Sequence, residues 1–113
     1  MTDYSIAEEF PSKYMNAESV KRTGILTIET VTKELVGQVP NQQEKLVIQW
    51  RELTVQPLIM NATNAKVLAK AYGDSTTAWT GKQVVVYTVE TQFGPGVRVR
   101  IPGPADAELV APF

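Results

Sequence analysis

The sequence predicts a mainly β domain of five strands with a single helix between the third and fourth. Three observations carry this. Residues 24–35, 45–51, 55–60, 82–91 and 97–101 are rich in β-branched or alternating apolar residues. Only residues 62–72 keep helical spacing over three turns. Clusters of Gly, Pro and Asn punctuate the chain between these segments.

Residues 1–12 have mixed polarity and end in Phe10-Pro11-Ser12, which predicts a flexible N-terminal arm. Order is expected from Lys13, with Asn16 or Ser19 capping a single helical turn. Strand one, residues 24–35, is long and expected to curve. Gly37-Gln38-Val39-Pro40-Asn41-Gln42 supplies a turn into strand two, where Leu46, Ile48 and Trp50 share one face and Lys45, Val47, Gln49 and Arg51 the other. Pro57 cannot donate to a ladder, so strand three starts at an edge or a bulge. Asn61 caps the helix and Gly73 ends it as a left-handed residue. A Ser/Thr-rich turn then places Trp79 between helix and sheet, and Gly81 leads into strand four. Gly94-Pro95-Gly96 turns strand four into Val97-Arg98-Val99-Arg100-Ile101, and Pro102-Gly103-Pro104 ends the sheet.

At 113 residues, 43% hydrophobic and 20% charged, the chain fits one small globular domain, expected to be cytoplasmic. It contains no apolar run long enough to span a bilayer, and residues 1–5 lack the basic-then-apolar order of a secretion signal. The absence of cysteine and histidine excludes disulfides and the usual zinc, iron and copper ligand sets, so neither a metal nor a cofactor is expected. Catalysis is not expected either. Glu8-Glu9, Glu52 and Asp74 are isolated in sequence, no serine or threonine has a histidine base, and Gly94-Pro95-Gly96 lacks the lysine and helix of a phosphate-binding loop.

The net charge of −1 is unevenly spread. Residues 1–18 carry −3 and residues 102–113 carry −2, so the core segment 19–101 is basic at +4. The acidic ends either remain solvated, the simpler reading, or fold back over a basic face.

The order β-β-β-α-β-β is that of the OB-fold, a five-stranded Greek-key barrel, and closure would also remove exposed edges at strands two and five. The boundaries are a flexible arm at 1–12, an OB-like domain at 13–103 and an acidic tail at 104–113. An open α+β sheet with the helix on one face has the same element count.

Asn61-x-Thr63-Asn64-Ala65 at the head of the helix, Tyr72-Gly73-Asp74, Trp79-x-Gly81-Lys82 and Gly96-Val97-Arg98-Val99-Arg100 resemble a family of short proteins of tailed phages and prophages. The likeness covers roughly residues 12–101, including Lys13-Tyr14 and Leu26-Thr27-Ile28. Such proteins accompany phage replication and recombination genes, so the resemblance implies a role in phage DNA metabolism, in the host cytoplasm, without naming an activity.

OB-folds hold single strands by stacking bases on aromatic rings above a basic groove made by strands two and three and the loops joining strands one to two and four to five. The candidate cations are Lys45, Lys82, Arg98 and Arg100; the candidate platforms are Phe93, Trp50 and Tyr87. Arg98 and Arg100 alternate with Val97, Val99 and Ile101, which puts the two cations on one face about 7 Å apart. Trp50 shares parity with Leu46 and Ile48, which favours a core position over a stacking platform. Phe93 lies in the loop between strands four and five, either stacking on a base or packing on the barrel end. Asn61, Asn64, Lys66 and Lys70 have plain structural explanations as caps and as an exposed helix face. The expected function is non-catalytic binding of single-stranded DNA in replication or recombination. The alternative is a protein-interaction module, an adaptor to a phage or host replication protein or an inhibitor of a host enzyme.

Overall fold

A computed structural model describes residues 13–37, 39–52 and 54–112. The predicted arm, residues 1–12, and the terminal Phe113 lie outside the described residues. The strands are β1 (Gly24–Val36), β2 (Gln43–Trp50), β3 (Leu58–Ile59), β4 (Gln83–Thr91) and β5 (Gly94–Arg100). The helix α1 (Ala62–Tyr72) lies between β3 and β4, followed by a short 3₁₀ turn, Thr76–Trp79; a second, Pro104–Asp106, follows β5. Among the described residues, no helix is long and apolar enough to cross a membrane.

The strands form one antiparallel sheet in the order β3-β2-β1-β4-β5. β1 changes partner along its length. Its first residues, Gly24 to Thr27, pair with β4, and Thr30 to Val36 pair with β2, with a register shift between Ile28 and Thr30. The shift bends the strand and coils the sheet around α1. Leu26, Ile28, Ile48, Trp50, Leu58, Leu68, Trp79, Val84, Val86 and Val99 fill the inner face. Each large side chain buried there contributes about 1.5–3 kcal/mol. Trp79 packs as its position predicts, and its indole N–H donates to the carbonyl of Gly73 at 2.8 Å.

The sheet is open, which corrects the expected barrel. β3 is two residues long and pairs with β2 alone. Pro57 just before it has no N–H, and its carbonyl accepts the Met15 N–H at 2.8 Å instead of a fifth-strand partner. β5 therefore needs another partner along its outer edge, and Asn64 supplies one. This side chain, 1% exposed, donates to the Val97 carbonyl at 3.2 Å and accepts from the Val99 N–H at 3.3 Å. One amide replaces two ladder bonds, so the helix spans the seam that a barrel would have closed with strands. Asn61 caps that helix as expected, accepting from the Asn64 N–H at 2.8 Å.

Two other expectations change. Gln92 and Phe93, not residues 94–96, make the β4–β5 turn, because Thr91 pairs with Gly94 and Thr91 Oγ1 accepts the Phe93 N–H. Pro95 is then inside β5, tolerated on an edge strand. The segment expected as a solvated acidic tail, 104–113, is anchored to the sheet at Asp106, Val110 and Pro112, while residues such as Ala107, Glu108 and the Val110 side chain stay exposed. The Val110 carbonyl accepts the Ile25 N–H, the Pro112 carbonyl accepts the Lys21 N–H, and Pro112 is fully buried. A side chain at position 24 would run into the Pro112 backbone at 2.4 Å, so only glycine fits there.

Candidate nucleic-acid interface

Alternation along β4 and β5 sorts the candidate residues by face. Val84, Val86 and Val99 point into the core, so Gln83, Val85, Tyr87, Val89, Arg98 and Arg100 belong to the outer face. Across the ladder this face has successive rows: Thr27 with Gln83, then Ile25 with Val85 and Arg100, then Tyr87 with Arg98, then Val89 with Gly96. The two arginines that the sequence paired have opposite fates.

Arg100 is engaged. Its Nη1 and Nη2 reach the two carboxylate oxygens of Asp106 at 2.7 and 2.8 Å, and the Gly103 N–H donates to the same carboxylate at 2.8 Å. The Arg100 guanidinium, with the Gly103 N–H, holds Asp106 down from the usual 3.8 to about 2. Val85, in the same row, is fully buried although it faces away from the core. Residues 103–110 thus form a strap across the outer face, running from the end of β5 to the far edge of β1.

Arg98 is available. Among the described residues, it has no carboxylate within ion-pair distance. Its guanidinium lies along β5 above Gly96, where a Cβ would sit 3.2 Å from Nη1, and donates to the Val97 carbonyl at 3.1 Å. The ring of Tyr87 is its direct cross-strand neighbour and is half-buried. Five residues back from Arg98, about 17 Å along the strand, the hairpin tip holds Phe93, 89% exposed. The tip is fixed from below: Thr91 Oγ1 donates to the Gly94 carbonyl at 2.7 Å and accepts the Phe93 N–H at 3.1 Å. Tyr87 and Arg98, both half-buried, are paired on the outer face of the hairpin whose tip carries Phe93.

The other candidates lie elsewhere. Trp50 is 5% exposed within the core cluster and offers no stacking surface. Lys45 is exposed on the β1–β2 hairpin, across the ladder from Glu34. That glutamate accepts from the Tyr14 hydroxyl at 2.8 Å, Lys13 Nζ at 3.0 Å, Gln49 Nε2 at 2.9 Å and Thr32 Oγ1 at 3.3 Å, which ties the first described residues to the sheet. The Tyr14 hydroxyl, then Lys13, keeps its carboxyl below the usual range. Lys82 lies beyond the strap, in an open, mostly polar groove of about 480 Å³ lined by Thr27, Arg51, Tyr72, Gly81, Gln83 and Pro102. Its Nζ is 5.8 Å from the Tyr72 ring centroid, and the Tyr72 hydroxyl, raised by burial, donates to the Gln83 carbonyl at 2.7 Å.

Sequence reasoning missed Gly96, although a glycine two positions before an arginine in a strand shares its face and leaves room for the guanidinium. It also missed Asn64 as an edge partner and Asp106 as the strap's anchor, both of which depend on residues more than five positions away. Among the described residues, no group of three or more acidic side chains converges as a metal site. Compared with protein-family models, with curated proteins and with solved structures, the chain matches none.

Proposed function

We propose that this protein binds single-stranded nucleic acid, without catalysis, on the outer face of the β4–β5 hairpin. The observation that carries the reading is Phe93: a large apolar ring, 89% exposed, on a hairpin tip held by two Thr91 hydrogen bonds. Fixing an exposed ring in place reduces the entropy lost when a base stacks on it. Arg98 and Tyr87 on the same wing add one phosphate contact and a second ring. The strand order fits the same reading: opening an OB-type barrel at its β3–β5 seam would leave the order β3-β2-β1-β4-β5. The phage-family resemblance favours DNA, and a part in replication or recombination in a host cytoplasm. Lys45 is too far along the other hairpin to join Arg98, and Arg100 is neutralised, so few phosphates are contacted and affinity is modest.

Fluorescence anisotropy with labelled oligothymidine and a duplex of equal length, at low and moderate salt, tests this. Salt-sensitive binding that favours the single strand is expected. No binding at tens of micromolar protein would favour a second reading, a protein-interaction module, for which the β1–β2 hairpin provides the surface. Leu35 at 60%, Val39 at 78% and Leu46 are exposed there.

A further inference from the structure

The groove beyond the strap is independent of the β4–β5 wing and carries its own chemistry. We infer that it is a binding site for a phosphoryl group carried on a small organic moiety, a nucleoside 5′-monophosphate or the 5′-phosphorylated end of a strand. Arg51 reaches it from the residue after β2, and Lys82 from the residue before β4. Glu29 Oε2 accepts from Arg51 Nε at 2.9 Å, an exposed ion pair made through Nε. Among the described residues, neither those Nη groups nor Lys82 Nζ hydrogen-bonds to a protein acceptor. Arg51 Nη2 lies 3.9 Å from the point where a Cβ on Gly81 would sit. Gly81, at φ +83, lets the chain turn there and present a bare backbone beside the guanidinium.

Lys82 has no carboxylate within ion-pair distance among the described residues, and Arg51, although paired with Glu29 through Nε, keeps its Nη donors open; a planar guanidinium beside an ammonium matches the oxygens of a phosphoryl group. The volume, about 480 Å³, exceeds what a bare phosphate fills and falls within the usual range for small-molecule sites. The remaining wall, Tyr72, Thr27, Gln83 and Pro102, combines a ring and a pyrrolidine with two hydrogen-bonding side chains, which suits a sugar or base more than a second charge.

The test is an amide NMR titration with thymidine 5′-monophosphate, inorganic phosphate and thymidine, on the parent and on Lys82→Gln and Arg51→Gln. Saturable shifts at Gly81, Lys82 and Gln83 are expected with the monophosphate, weaker ones with phosphate, and none with thymidine. Each substitution should weaken the monophosphate about tenfold, the loss of one charge-assisted contact. Unchanged thermal melting shows the variants folded, as expected for half-exposed side chains. Thymidine binding as well as the monophosphate overturns the inference, as do variants that bind like the parent or shifts spread over Lys21, Lys33, Lys66 and Lys70. A parallel titration with oligothymidine, with and without a 5′-phosphate, separates free nucleotide from strand end, and either source upholds the site. Monophosphate binding with no oligonucleotide binding upholds the groove and overturns the single-strand reading.

Discussion

The two halves of the β4–β5 outer face share a ladder and a basic character but differ in what covers them. Near the body, Val85 is fully buried, and Arg100, itself exposed, is paired with Asp106 of the segment 103–110. Toward the tip, Tyr87 and Arg98 are half-buried and Phe93 is exposed, and Arg98 has no carboxylate partner among the described residues. An arginine on a strand face is therefore not a ligand contact by its residue type. What decides is whether the chain brings back a carboxylate of its own, and here it does so at one position and not two residues away. The covered half should respond to mutation through stability and the uncovered half through binding.

The largest effects belong on the covered side. Trp79→Ala removes a ring buried between α1 and β1 together with its bond to Gly73, and should cost about 3–5 kcal/mol in urea unfolding. A loss under about 1 kcal/mol would mean that the ring is not packed as described. Asn64→Ala leaves the Val99 N–H on a buried edge without a partner and the Val97 carbonyl with only its bond from Arg98, and should cost about 1–3 kcal/mol. Hydrogen exchange at the Val99 amide should speed up more than at Val86, which lies inside the ladder. Equal exchange at both sites would show that the helix does not seal this edge.

The same contrast explains what was legible in the sequence. All five strands and the helix are visible from alternation and spacing because each is a local pattern: Val84 and Val86 bury, Asn61 caps and Gly73 takes φ +102. The seam was not visible. Whether β3 and β5 meet depends on a two-residue strand after Pro57 and on an asparagine 35 positions from its partner Val99, and no local period encodes either. The strap was hidden for the same reason. Asp106 reads as one acid in an acidic stretch until the fold sets it against Arg100. Of the candidate site, the burial of Trp50 followed from its parity with Ile48, whereas the separation of Lys45, Lys82 and Arg98 onto three parts of the surface required the bend in β1.

On the uncovered side, Phe93→Ala should reduce single-strand affinity by about 1–3 kcal/mol with little change in salt dependence, because stacking releases few ions. Its stability should stay within about 0.5 kcal/mol of the parent, as for other exposed substitutions. Arg98→Gln should do the reverse in kind, flattening the salt slope by about one unit. Arg100→Gln should leave the slope unchanged, since its charge is already spent on Asp106. If Arg98→Gln and Arg100→Gln change the slope equally, the two halves of the face are not distinguished by the strap.

The smallest effect is a titration, and it reports on the strap directly. Asp106 is held at about 2 in the folded protein against an ordinary value of 3.8, with Arg100 as the first cause and the Gly103 N–H as the second. A depressed folded value means that the unfolded chain binds the proton more tightly. The contribution to stability is therefore complete above about pH 4, declines as the pH falls through the window between the two values, and is gone below about pH 2. Carboxyl-detected NMR should place the Asp106 midpoint near 2 in the parent. In Arg100→Gln the midpoint should rise toward the ordinary value without fully reaching it, because the Gly103 donor remains. Arg98→Gln should leave it in place, two residues away on the same face but outside the strap's reach. Asp106→Asn should remove this group's share of the acid destabilisation. A midpoint near 4 in the parent would mean that Arg100 is not neutralised in solution, and both arginines would then return as phosphate contacts.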